Sequence, residues 1–132
     1  LFAGHASAAE IFTADKDACA SKDEKDFMVG KYVIIGQKDT GHAAPTAKDI
    51  YTATAQIEVK GCEAVVHRCE NGKTVQGTLE RGLFMGEAPV WKLSGKDREW
   101  LLEMEGDKNN YAVFHGSGEF WRTEPEASWH CK

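Results

Sequence analysis

From Tyr51 to Lys60 the chain alternates without a break: Tyr51, Ala53, Ala55, Ile57 and Val59 interleave with Thr52, Thr54, Gln56, Glu58 and Lys60. A period of two places one set on each face of a strand, so this segment reads as a half-buried β-strand. The same period recurs with Val75, Gly77 and Leu79 set against Thr74, Gln76, Thr78 and Glu80, and with Trp100, Leu102 and Met104 set against Leu101, Glu103 and Glu105. A chain patterned this way must find a sheet with one dry face.

Turn signals separate these runs at short intervals: Lys60-Gly61, Glu70-Asn71-Gly72-Lys73, Ser94-Gly95-Lys96-Asp97, Gly106-Asp107-Lys108-Asn109 and His115-Gly116-Ser117-Gly118. Asn71-Gly72 is the strongest of them, because both central residues of a tight primed hairpin turn need positive φ. The predicted strands are 27–37, 50–60, 63–69, 73–84, 89–94, 98–105, 110–115 and 118–124. Helical signals are thin, and the Thr13 to Phe27 stretch has room for one short helix or a turn. The expected fold is all-β, an eight-stranded antiparallel up-and-down barrel with a short N-terminal helix or turn; closing the meander removes its exposed edges. The division expected is an N-terminal segment, 1–26, and a single barrel domain, 27–132. The longest loop, Lys38 to Asp49, overhangs one mouth.

The composition suits a folded domain and narrows its partners. Of 132 residues, 42% are hydrophobic and 28% charged, and the net charge is −5. With no run of Lys or Arg, nucleic acid is not an expected partner. No apolar stretch approaches the ~20 residues needed to span a membrane. At the N-terminus, Ala6-Ser7-Ala8 fits a signal-peptidase site, and Leu1-Phe2-Ala3 fits the end of an apolar leader. Residues 1–8 are therefore read as a signal-peptide tail, the alternative being an ordinary small-residue N-terminus or an expression remnant. The even cysteine count agrees with export to the periplasm or beyond, where thiols pair.

Cys19, Cys62, Cys69 and Cys131 contain no Cys-x-x-Cys spacing, which sets aside the common zinc and redox motifs. Cys62 and Cys69 flank one predicted strand. Seven residues at ~3.3 Å each hold them about 23 Å apart, whereas a disulfide needs Cα atoms within ~7 Å. Each must then pair with a terminal cysteine. Cys62 lies at the end where the first barrel strand begins, close to Cys19, which favours Cys19–Cys62 with Cys69–Cys131. Cys19–Cys69 with Cys62–Cys131 stays open.

Three short motifs in this order carry a likeness to a known family. Gly30-Lys31-Tyr32 stands at the start of the first strand, Asn109-Asn110-Tyr111 in the turn before the seventh, and Arg122 near the end of the last. The chain resembles the lipocalins and the wider calycin superfamily over most of residues 27–124. The family's Gly-x-Trp has Tyr32 in place of Trp, and of its Thr-Asp-Tyr only Tyr111 survives. The resemblance implies an eight-stranded barrel with Arg122 covering Tyr32, a cation–π contact worth about 0.5–2 kcal/mol that would seal the narrow end.

No nucleophile elbow, phosphate loop, His-Glu-x-x-His or paired-carboxylate signature is present, so no enzyme and no catalytic residue is expected. Of the five histidines, His5, His42, His67, His115 and His130, two fall on predicted strands. His67 and His115 would face the cavity and ligate haem iron or another metal, or simply face solvent; with no ligand spacing linking them, no metal or cofactor is expected. Lys22, Asp23, Glu24, Lys25 and Asp26 read as a solvated face, and Glu103 and Glu105 as outward-facing. Four tryptophans are many for this length. Trp100 and Trp121 suit a barrel core or a ligand wall, whereas Trp91, after Pro89-Val90, suits an exposed anchor for a protein.

Two functions follow. One is an exported carrier that holds a small apolar or amphipathic molecule in the barrel, lined by Tyr32, Ile34, Tyr51, Ala53, Ala55, Ile57, Val75, Leu79, Trp100, Leu102, Met104, Tyr111 and Val113. The other is a disulfide-stapled protein-binding module, such as an inhibitor of a hydrolase, acting through the 38–49 loop, residues 84–91 or a terminus. An eight-stranded barrel is either filled by side chains or just wide enough for one ligand, so the interior discriminates.

Overall fold

The computed structural model describes residues 11–41, 43–96, 98–108, 112–124 and Cys131. A short strand, β1 (Phe12–Ala14), precedes a helix, α1 (Lys22–Met28), and eight strands follow. These are β2 (Gly30–Gln37), β3 (Ile50–Lys60), β4 (Glu63–Glu70), β5 (Lys73–Phe84), β6 (Ala88–Ser94), β7 (Glu99–Met104), β8 (Phe114–Gly116) and β9 (Glu119–Thr123). Each of the eight pairs antiparallel with its sequence neighbour, and β2 pairs with β9, so the meander closes into a barrel. The β4–β5 turn has Asn71 at φ 52° and Gly72 at φ 76°, the two left-handed residues its dipeptide required.

Two boundaries differ from the sequence reading by more than one residue. Phe27 and Met28 close α1, and the first barrel strand starts only at Gly30. Met28 is fully buried in the barrel core, and Phe27 packs against the same cluster. The helix thus plugs the lower mouth, and the apolar pair that read as strand is its inward face. The strand predicted at 110–115 is shorter, Phe114–Gly116, and begins beyond Tyr111, which lies outside the described residues. Neither alternation nor turn spacing signalled β1. Its three residues hold β5 at Gly82–Phe84, past the point where β4 ends. Phe12 seats over Gly82, where any side chain would overlap the Phe12 ring and the Thr13 carbonyl oxygen.

Both disulfides follow the favoured pairing, Cys19–Cys62 at the lower end and Cys69–Cys131 toward the upper, with Cα separations of 4.8 and 5.4 Å. Two disulfides suggest an oxidising compartment. No helix among the described residues is long and apolar enough to cross a membrane. Leu1 to Glu10, with the cleavage-site reading, lie outside the described residues.

The mixed-sign run on α1 is only partly solvated. Lys22 and Asp26 form an exposed i,i+4 pair at 3.1 Å. Lys25, by contrast, is 5% exposed and donates from Nζ to the carbonyls of Ala18 and Cys62, the latter at 2.8 Å. One ammonium ties the helix to both sides of the first disulfide.

Candidate functional site

Inward positions of the barrel form one continuous cluster. Tyr32, Ile34, Ala53, Ala55, Ile57, Leu79, Trp100, Leu102 and Val113 are buried in it together with Trp91, Leu93, Phe114 and Trp121, and Met104 packs against it. Ten of the thirteen expected lining residues are therefore brought together, but they touch one another; Tyr51 and Val75 are only partly buried and Tyr111 lies outside the described residues. Trp121 meets Tyr32 and Phe114 edge to face, a preferred aromatic arrangement, and Tyr32 and Phe114 are tilted at 51°, all with ring centroids about 6 Å apart. Trp91, expected as an exposed anchor, is 1% exposed; it pairs with Leu102 across β6 and β7 and shares that residue's inward face. The proline and turn beside it mark a hairpin whose exposed tip is Met85 instead.

The narrow-end seal also differs. Arg122 pairs with Val33 on the outer face, where it lies 3.9 Å from Glu124, so it does not cover Tyr32. One residue along, Trp121 faces inward and does the covering, and the Tyr32 hydroxyl donates to the Met28 carbonyl at 2.6 Å. Burial pushes the Tyr32 phenol well above its usual pKa.

The upper mouth, ringed by the described residues of the 38–49 loop, the Asn71-Gly72 turn, Gly95, Lys96, Arg98 and Ser117, holds the polar centre that sequence reading missed. Arg68 on β4 is 2% exposed and Glu119 on β9 is 1% exposed. Arg68 Nη1 and Nη2 donate to the two Glu119 oxygens at 2.9 and 2.7 Å, a bidentate pair inside the barrel. Glu119 also accepts from the Tyr51 hydroxyl and from Trp121 Nε1 at 3.0 Å. The Arg68 guanidinium lies 4.7 Å from the Trp100 ring centroid and reaches out to Glu70 at 3.1 Å. Burial alone would raise the Glu119 pKa; the hydrogen bonds from Arg68 and Tyr51 and the Arg68 charge overcome it and hold the carboxylate below its usual range. Burial would lower Arg68, and the same carboxylate reverses that. For Tyr51, burial and then its bond to Glu119 raise the phenol.

Both residues had a signal. Arg68 continues the inward row Ala64, Val66 of β4, and Glu119 shares its row with Trp121. Opposite charges on inward rows of a half-buried barrel announce a buried pair. Gly36 makes room for it, because a methyl there would overlap the Tyr51 ring.

Above this pair the mouth is nearly shut. Val75 and Gly77 border a space of about 10 Å³ beside Arg68 and Trp100, room for one water at most. Arg98 closes it, with its guanidinium 4.8 Å over the Trp100 ring, Nη1 donating to the Tyr51 oxygen at 3.3 Å and Nη2 to the Ser117 carbonyl at 3.3 Å.

The two strand histidines face outward rather than into the barrel. His67 lies 3.4 Å from Glu58, and His115 lies between Glu103 at 3.6 Å and Glu105 at 3.1 Å. Among the described residues no group of three His, Cys, Asp or Glu side chains has metal-holding geometry. His5, His42 and His130 lie outside the described residues.

Comparison of the chain with protein families, with curated proteins and with solved structures finds no match.

Proposed function

We propose that this protein is an exported, disulfide-stapled protein-binding module that acts through its rim and outer surface. The observation that carries this reading is the filled interior. The buried Arg68–Glu119 pair and the rings of Trp100 and Trp121 occupy the centre where a carried molecule would sit. A lipocalin-like carrier would have to break that pair to admit an apolar ligand, leaving two buried charges unmatched, which is costly. The groups of the network neutralise one another, so none is free to serve as a catalytic acid or base.

A rigid scaffold suits protein recognition, because little side-chain and loop freedom is lost on docking. The surface offers preformed positions at both ends. At the upper end are the 38–49 loop, whose Thr46 and Asp49 cap a short 3-10 turn reciprocally, and the Arg98–Ser117 corner. At the lower end is the Phe84–Met85 hairpin tip, with Met85 67% exposed. An inhibitor of an exported or foreign hydrolase is one member of this class.

Native mass spectrometry of protein taken from its own host tests the reading, paired with titration by an apolar fluorescent probe such as N-phenylnaphthylamine. A retained protein partner and no saturable probe binding are expected. A retained small molecule, or stoichiometric probe binding lost in Leu102→Arg, would overturn it in favour of the carrier.

A further inference from the structure

Three acceptor surfaces converge at the upper mouth: the Tyr51 oxygen, the Ser117 carbonyl and the face of Trp100. The Tyr51 hydroxyl donates its proton inward to Glu119, which Arg68 keeps ionised, so only oxygen lone pairs remain for a group arriving from outside. The Ser117 carbonyl is aimed there by a left-handed residue, φ 50°, whose hydroxyl is pinned between the Leu101 N–H at 2.9 Å and its carbonyl at 3.3 Å. Behind the phenol stands the Glu119 carboxylate, and beneath lies the face of Trp100. The aromatic face, the phenol oxygen and the carbonyl favour a cation, and a flat one that stacks while forking to two oxygens, the carboxylate behind them being already matched by Arg68.

In the free chain that cation is the protein's own Arg98, an exposed residue in the β6–β7 turn held by Gly95 N–H donating to the Arg98 carbonyl at 2.8 Å. Among the described residues its side chain makes two hydrogen bonds, both at 3.3 Å, at the long end of the range. The groups beneath are buried or tied by their own hydrogen bonds, whereas the occupant is exposed and its hydrogen bonds are long.

Resting on the protein-binding reading, we infer that the upper mouth is a guanidinium receptor whose guest is an arginine side chain of a basic protein partner, which takes the place of Arg98 on docking. The net charge of −5 draws such a partner in. A tethered side chain competes at an effective concentration in the mM range, so a lone guest binds the intact protein poorly. A partner succeeds through the rim contacts around its arginine. Displaced Arg98 then points outward, free to meet a carboxylate beside the incoming residue.

The test vacates the site. Methylguanidinium is titrated into Arg98→Ala and into the unaltered protein, followed by the Trp100 indole N–H in 1H–15N spectra, assigned through Trp100→Phe. A saturable shift is expected in Arg98→Ala, with affinity at least about tenfold above the unaltered protein, because the tethered competitor is gone. Adding Tyr51→Phe to Arg98→Ala should weaken it several-fold. A blocked Gly-Arg-Gly peptide should bind Arg98→Ala better than Gly-Lys-Gly. Arg98→Gln serves as the second vacated variant should Arg98→Ala fold poorly. Equal responses with and without Arg98, no shift at Trp100, or lysine matching arginine would each overturn the receptor. A partner retained in native mass spectra alongside any of these outcomes leaves the module reading intact and retires only this site.

Discussion

At the scale of single residues, the Arg68–Glu119 pair is the costliest feature of the barrel. Both ions are out of water, and each survives only because the other and Tyr51, Trp121 and Glu70 supply matching groups. Arg68→Met alone leaves a buried carboxylate unmatched and should cost about 3–5 kcal/mol in urea unfolding. Arg68→Met combined with Glu119→Leu removes both ions and should return most of that stability. The pair also predicts acid behaviour. The folded Glu119 pKa lies below its unfolded value near ~4.3. Its contribution is complete above that unfolded value and is lost as pH falls through the lower folded one. Unfolding free energy should therefore decline below about pH 5, and the double variant should show a shallower decline by up to one proton in the slope. A slope unchanged in the double variant would contradict this.

At the scale of elements, the N-terminal strap is a separable unit. It is held by the β1–β5 ladder, by Phe12 over Gly82 with Lys92 Nζ 4.8 Å from the Phe12 ring, by the Lys25 ammonium and by Cys19–Cys62. Gly82→Ala sets a methyl against the Thr13 carbonyl, so either the strap or β5 must shift. Such overpacking costs roughly 1–3 kcal/mol. Hydrogen exchange should accelerate at Phe12–Ala14 while β3 and β4 stay protected; uniform acceleration would mean that the strap and barrel open together. Sequence periodicity did not reveal this element, since three residues are too few to show a period and their partner lies about seventy positions away. The barrel strands were legible from alternation at 51–60, 74–80 and 100–105 and from turn spacing elsewhere, as at β4, where Ala64, Val65 and Val66 are all buried and do not alternate. Arg68 and Glu119 were legible only as row positions, since 51 residues separate them and neither predicts the other locally.

At the scale of the whole molecule, the disulfides close long loops, with sequence separations of 43 and 62. On chain-entropy grounds each is worth about 4 kcal/mol. Paired Cys→Ser replacement at either should lower the melting temperature markedly, and non-reducing peptide maps should contain 19–62 and 69–131 fragments only. A mapped Cys62–Cys69 fragment would refute the strand between them.

Alternation and turn chemistry, read from the chain alone, determined the eight barrel strands, their order and their antiparallel pairing and excluded a Cys62–Cys69 bond, because each rests on local φ preferences or on how far a strand can reach; between the two remaining disulfide pairings they only favoured the one observed. Whether the barrel is hollow or filled was decided only in three dimensions. The period of two says which side chains point inward; it does not say how far across they extend or what they meet. Arg68 and Trp100 arrive from opposite walls and close the space between them, Trp91 turns inward on a strand whose proline and turn pointed to the surface, and the place of Arg98 at the mouth depends on Tyr51 and Ser117, on other strands and turns, arriving beside it.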